Sequence, residues 1–246
     1  RHIHKLIVMS STYRQTSNTS ASQRLIDPSN TWITRNPRIR MSAEMIRDNA
    51  LEISGLLSTK MHGPPIYPPQ PSGIWRHVGR NAPKYIAATN EDRFRRGVYV
   101  VWRRGAPYVS FTNFDAPDRG SCVVRRPRTN TPLQALTLLN DQAYVEMAIA
   151  FAERIIEHNS ASTEERINFA YLTALSRNPQ PAEITFLKPM IERQLIRFKN
   201  NPKPANELIK GIEGWKPSEK TKIPELAAWF YITNILLNLD ETITKN

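Results

Sequence analysis

Apolar residues recur at helical separations through most of the chain. In RMSAEMIRDNALEISGLL, Met45, Ile46, Ile53, Leu56 and Leu57 keep this spacing and Ser42 stands where an N-cap is needed, so a helix is predicted after it. The run from Ile3 to about Tyr13 predicts another helix, followed by a Ser/Thr/Asn-rich loop from Thr16 to Ser22. Further on, Thr131, Pro132 and Gln134 fit a helix start in which threonine caps, proline takes the first turn and glutamine reaches back. Asn140 and Asp141 then break or recap the chain before AYVEMAIAFAERII. Ser162 with Glu165 repeats the capping-box spacing, and NPQPAE opens a helix ending near Phe198, beyond which a basic Asn/Pro-rich loop is expected. PELAAWFYITNILLNL is apolar on nearly every face and should be buried; at about 16 residues it is short for crossing a bilayer.

Elsewhere the helical pattern lapses. DPSNTWITRNPR reads as turn and extended chain, because its prolines and Asx residues discourage helix. From Met61 to Pro83 prolines and glycines alternate with Ile66, Tyr67, Ile74 and Trp75, which predicts an ordered loop wrapping the core. Val98 to Trp102 is a short β-branched and aromatic run, and Tyr108 to Phe111 is placed to pair with it. The expected fold is therefore mainly α, with a small β-hairpin or paired extended segment near residues 97–114 and long ordered proline-rich loops. One domain over 1–246 is expected, with 160–246 as a C-terminal helical subdomain. The first residues, RHIHKLIVMSSTYRQTS, show no secretory leader and read as the interior of a longer polypeptide.

Hydrophobic residues make up 40% of the 246, enough apolar material to offset the entropy of ordering a core. Lysine and arginine number 34 against 22 acidic residues, leaving a formal charge of +12 that favours anionic partners. Acidic polysaccharide, anionic membrane surface and nucleic acid all qualify on charge, but no nucleic-acid reading motif accompanies it. Cys122 is the single cysteine, so internal disulfides, paired-cysteine zinc sites and a C-x-x-C-H haem attachment are all excluded. A lone thiol of this kind is expected to fill a core.

The charge is concentrated. Residues 93–128 hold nine arginines, Arg93, Arg95, Arg96, Arg103, Arg104, Arg119, Arg125, Arg126 and Arg128, opposed within that window only by Asp115 and Asp118. Guanidinium groups pair bidentately with carboxylate, sulfate or phosphate, so Arg103, Arg104, Arg125, Arg126 and Arg128 are candidates for an anion or partner site. The same geometry builds internal braces, for which Glu44, Asp48, Asp115 and Asp118 are the candidate acids. Glu44, Arg47 and Asp48 sit at neighbouring helical positions, a spacing that by itself reads as a solvated charged face. No catalytic motif and no metal site is read from the chain: its histidines, His2, His4, His62, His77 and His158, are scattered. Asp115 with Asp118 could form the acid and base of a glycoside-cleaving pair, although a spacing of three in sequence does not establish their separation in space.

Several stretches taken together carry a resemblance: HKLIVMSSTYRQTS, DPSNTWITRNPRIRMSAEMIRD, HGPPIYPPQPSGIW, EDRFRRGVYVVWRR, FDAPDRGSCVVRRPRTNTPLQALTLLND and LAAWFYITNILLNLDE. The chain resembles the C-terminal domain of unknown function of large secreted planctomycete-type proteins, which usually accompanies a planctomycete cytochrome c domain. The resemblance implies a module with no cofactor of its own, haem c held in a separate upstream domain, and a periplasmic or cell-surface location. It implies as partners the upstream cytochrome-type domains of the same polypeptide; the basic charge leaves acidic or sulfated polysaccharide, bound or degraded, as the alternative. The family often has proline after the LND triplet, where this chain has Gln142.

Overall fold

The structure, a computed structural model of the chain, describes residues 1–77, 84–158, 162–211, 217–219 and 221–245, His77 by its backbone alone. The end of the proline-rich stretch, residues 78–83, lies outside them. The described chain is mainly α-helical and divides into two compact units, Ser42–Thr242 and a smaller one of Arg1–Met41 with Ile243–Asn246.

In the smaller unit, helices α1 (His2–Met9) and α2 (Ala21–Ile26) bury none of their residues. The expected helix from Ile3 is present but stops four residues short of Tyr13, where Ser10 takes an extended conformation and its hydroxyl donates to the Ile7 carbonyl. The Ser/Thr/Asn loop is shorter than expected, because Ser20 and Gln23 close a capping box that starts α2 inside it. Two-residue strands β1 (Ile39–Arg40) and β2 (Thr244–Lys245) pair antiparallel, Ile39 opposite Lys245.

The larger unit is built on α3 (Ala43–Ser54), α4 (Val109–Asn113), α5 (Pro132–Asn140), α6 (Gln142–Glu157), α7 (Thr163–Leu175), α8 (Pro181–Asn200), α9 (Lys203–Lys210) and α10 (Ile223–Asn238). At its centre α10 packs on α6 and α8, and α3 packs on α6. At the fully buried Ala148 of α6, α10 comes close enough for Thr233 Oγ1 to donate to the Ala148 carbonyl at 2.7 Å. The near-uniform apolarity of α10 matches its burial, with Leu226, Ala227, Trp229, Ile232 and Leu236 all inaccessible. Within this unit α6 packs on α7 and α10, and α7 on α8.

Three of the caps read from the sequence form, whereas Ser42 stands at the N-cap of α3 without a side-chain cap bond and Gln134 Nε2 donates to Thr129 Oγ1 instead of reaching back to Thr131. Thr131 accepts from Gln134 N, Asp141 from Ala143 N, and Ser162 with Glu165 closes a full capping box. Gly55 ends α3 in the left-handed region, φ 78°, that glycine tolerates. Two further expectations fail. The hairpin near 97–114 does not form: Gly97–Tyr99 is a turn of 3₁₀ helix and Tyr108–Phe111 leads into α4, so the second arm is helical. Val100 instead bridges Ile66 in parallel, with Ile66 N donating to Tyr99 O at 2.8 Å and Val101 N to Ile66 O at 2.9 Å. The β-branched run is thus matched by the proline-rich loop, in keeping with the wrapping expected of it. Lys203–Lys210, read as a basic loop, forms α9 because Ala205 and Ile209 find burial, Ala205 against Phe198, Ala227 and Ala228.

Candidate functional site

Helix α3 carries Glu44, Arg47 and Asp48, and all three reach into neighbouring loops. Arg47 is only 1% exposed; its Nη1 donates to Arg95 O at 2.7 Å and its Nη2 to Arg93 O at 2.5 Å. Asp48 Oδ1 accepts from Gly97 N at 2.6 Å. Burial pushes the Asp48 carboxyl above its ordinary value, partly offset by this N–H and by Arg47 and Arg96. The face expected to be solvated is therefore a brace, with Arg47 buried and Glu44 and Asp48 half-buried, because the backbone of 93–97 offers carbonyls to Arg47 and an N–H to Asp48.

The side chains of that loop point onward. Arg93 pairs with Glu146 of α6, both 3% exposed. Arg95 donates to the carbonyls of Lys60, His62 and Pro64 and lies 4.1 Å from the centre of the Tyr99 ring. Arg95 thereby fastens the proline-rich loop to the core, a multidonor task that suits the planar guanidinium fork. Gly97 permits the close approach, since a Cβ there would lie 3.1 Å from Glu44 Cα and from Phe111 Cζ.

This frame holds residues 115–131 as a strap. At one end Asp115, at φ 62°, accepts from Thr129 N at 2.7 Å and from Thr129 Oγ1 at 2.9 Å; Thr129 Oγ1 accepts from Gln134 Nε2 of α5 at 3.0 Å. Asp118 Oδ1 accepts from Gly120 N at 2.8 Å, the Asp118 carbonyl accepts from Trp102 Nε1, and Arg119 stacks over Trp102. Arg126 Nη1 bonds both Glu44 oxygens, at 2.7 and 3.0 Å. Burial opposes charge on Glu44, but the Arg126 hydrogen bond and its charge prevail and hold the carboxyl below its ordinary value. Beneath the strap lies a cavity of about 410 Å³ walled by Glu44, Val98, Trp102, Phe111, Arg119 and Arg126.

Of the acids proposed as braces, Glu44 meets an arginine, Arg126, and Asp48 lies 3.8 Å from Arg96. Asp115 and Asp118 do not pair with arginine among the described residues; the tight turns at Asp115 and Arg119 direct their carboxylates to nearby N–H and O–H groups instead. Every residue from Ser121 to Asn130 is exposed, including Cys122, so the expectation that this thiol fills the core is overturned. Arg125 and Arg128 are exposed and have no ion-pair or hydrogen-bond partner among the described residues, and the same holds for Arg104. Arg103 lies over the Trp75 ring at 5.0 Å. The structure thus brings Arg125, Arg126 and Arg128 onto one strap, with Arg103 engaged at a separate aromatic cluster. Among the described residues no group of three or more His, Cys, Asp or Glu side chains is placed to hold a metal ion. No described helix is long and apolar enough to cross a membrane.

Arg47, Arg95 and Gly97 were missed by sequence reasoning. The spacing of Glu44, Arg47 and Asp48 carries a signal for Arg47 alone, and such a triad on an exposed helix looks the same; nothing local marks Arg95 or Gly97.

The fold and site define a mainly helical module in which buried arginines tie loops to a helical core and present a basic strap. Residues 1–191 match the family described as PSD1, Protein of unknown function (DUF1553), and the chain belongs to that family. No curated protein and no solved structure matches the chain. The family match includes the whole strap and its α3 anchor.

Proposed function

We propose that the chain is a non-catalytic structural and interaction module that docks an acidic surface through residues 119–128. The observation that carries this reading is the division of labour within the strap. Arg126 is held by Glu44, while Arg125 and Arg128 are exposed without a described partner on a segment fastened at Asp118 by Trp102 and at Thr129 by Asp115 and Gln134. Anchoring lowers the ordering entropy lost on binding, so two guanidinium groups on a held loop bind better than on a free one. On the resemblance in sequence, the acidic surface belongs to an upstream cytochrome-type domain of a secreted, envelope-associated polypeptide, and haem c resides in that domain.

The test is retention of the chain on immobilised polyglutamate across a salt series. Retention should weaken as salt rises and be lost in the R125E/R128E double variant, whose changes lie on exposed positions and leave the helical circular dichroism unchanged. Undiminished retention of the double variant would overturn the reading.

A further inference from the structure

A second site, which no strap residue lines, lies where the proline-rich loop folds back on itself. Tyr67, Trp75 and Tyr85 form a trio of edge-to-face rings with centres 5.1 to 6.1 Å apart. Two bonds hold the walls: Ala88 N donates to Tyr67 O at 2.8 Å, and the Tyr85 hydroxyl donates to the Pro68 carbonyl. Beside the trio is a cavity of about 570 Å³, walled by Gln70, Ile74, Trp75, Arg76, Lys84 and Tyr85 among others. That volume falls in the range of cavities that enclose small ligands, about 300 to 1,000 Å³.

The chemistry of the walls narrows the ligand. Arg76 and Lys84 bring two exposed cations to the rim, and no described wall residue is acidic. Gln70 Oε1 is buried and accepts no hydrogen bond from a described residue, which leaves an acceptor calling for an O–H or N–H donor. Trp75, with Arg103 at 5.0 Å, supplies a large apolar ring surface. A donor group, an apolar face and an anionic group occur together in an acidic sugar, whose C–H face lies on an aromatic ring, whose hydroxyl donates to an acceptor and whose carboxylate or sulfate meets cations.

We propose that this cleft binds an acidic sugar unit of a carboxylated or sulfated glycan. Trp75 stacks on the sugar ring, Gln70 accepts from a ring hydroxyl, and Arg76 with Lys84 holds the acid group. The proposal is independent of the docking strap, because it uses none of the strap residues.

The experiment is isothermal titration of the whole chain with tri-galacturonate, with a sulfated trisaccharide, and with a neutral trisaccharide of the same linkage. At least one acidic ligand should bind in a salt-sensitive manner, and the neutral one at least tenfold more weakly; which acidic arm is tighter names the anion. R76E/K84E, which alters exposed side chains only, should lose at least tenfold in affinity, as should W75A, whereas R125E/R128E should bind like the parent. Failure of both acidic ligands to bind, equal binding of the neutral one, or unchanged affinity in R76E/K84E would overturn the proposal. Equally tight binding of a single-stranded oligonucleotide would overturn it too, by showing that the cleft reads rings and phosphate and not sugars.

Discussion

Arg47 and Arg95 are joined by a 2.7 Å hydrogen bond from guanidinium to backbone carbonyl, across 48 residues of sequence. The contact makes α3 the scaffold for the loop 91–100, because Arg47 also holds the Arg93 carbonyl and Asp48 holds the Gly97 N–H. The side chains of Arg93 and Arg95 then reach α6 and the proline-rich loop. One helix face thus organises loops on which both the strap and the aromatic cleft depend.

Removing the Arg47 guanidinium leaves two buried carbonyls without donors. Arg47→Met should lower the unfolding free energy by about 3 kcal/mol, counting roughly 1 to 3 for each orphaned group. Arg47→Lys should recover little of that, since an ammonium lacks the planar fork that reaches both carbonyls. Urea unfolding of the three proteins checks this; a lysine variant as stable as the parent would show that charge alone matters.

Gly97 sits where a methyl group would press on α3 and on Phe111, each at 3.1 Å. Gly97→Ala should therefore cost about 1 to 3 kcal/mol as α3 and the loop move apart. Because Glu44 flanks the contact, the same variant should also weaken the Glu44–Arg126 pair. A double-mutant cycle of G97A with R126A, measured by chemical denaturation, should show nonadditive losses.

The Glu44–Arg126 pair itself is partly solvated, Arg126 being 40% exposed. Its coupling should be modest, about 0.5 to 1 kcal/mol after screening, and should shrink in high salt. Its larger effect is on the strap: Glu44→Gln should speed proteolysis between Arg119 and Arg128 without changing global stability by more than about 1 kcal/mol. Limited trypsin digestion followed by mass spectrometry reads this directly, and an unchanged cleavage rate would show that Asp115 and Asp118 suffice to hold the strap.

Capping residues and apolar period were enough to place most of the helices, since Thr131, Asp141 and Ser162 act through bonds to residues within a few positions of themselves. The conformation of residues 97–114 was not legible in that way. Val98 to Trp102 has β character, but its partner is Ile66, and only the folded course of the prolines brings that residue alongside. The arginine window was visible as an excess of charge, yet the roles within it diverge by environment: Arg93 and Arg95 are buried, Arg126 is paired, and Arg125 and Arg128 are exposed. Sequence spacing cannot separate these outcomes, because each depends on which backbone or acid a distant segment delivers.

Glu146 makes stability depend on pH in a direction opposite to that of most carboxylates. Burial raises its carboxyl from an ordinary 4.5 to about 7, and the nearby Arg93 guanidinium offsets only part of that shift. Between these values the folded chain keeps a proton that the unfolded chain releases, so the unfolded state binds fewer protons and stability falls as pH rises. Asp48 and Asp141, also raised by burial, add the same sign at lower pH. Glu44 and Glu183 oppose it, since their carboxyls are held below ordinary values and lose stability when protonated in acid. Thermal unfolding should therefore show greatest stability in mildly acidic buffer and a decline, on the order of a few kcal/mol, toward pH 7. Glu146→Gln, a neutral isostere of the protonated carboxyl, should leave stability close to the parent's at pH 5 and flatten the slope between pH 5 and 7. A Glu146→Gln slope as steep as the parent's would assign the dependence to another group.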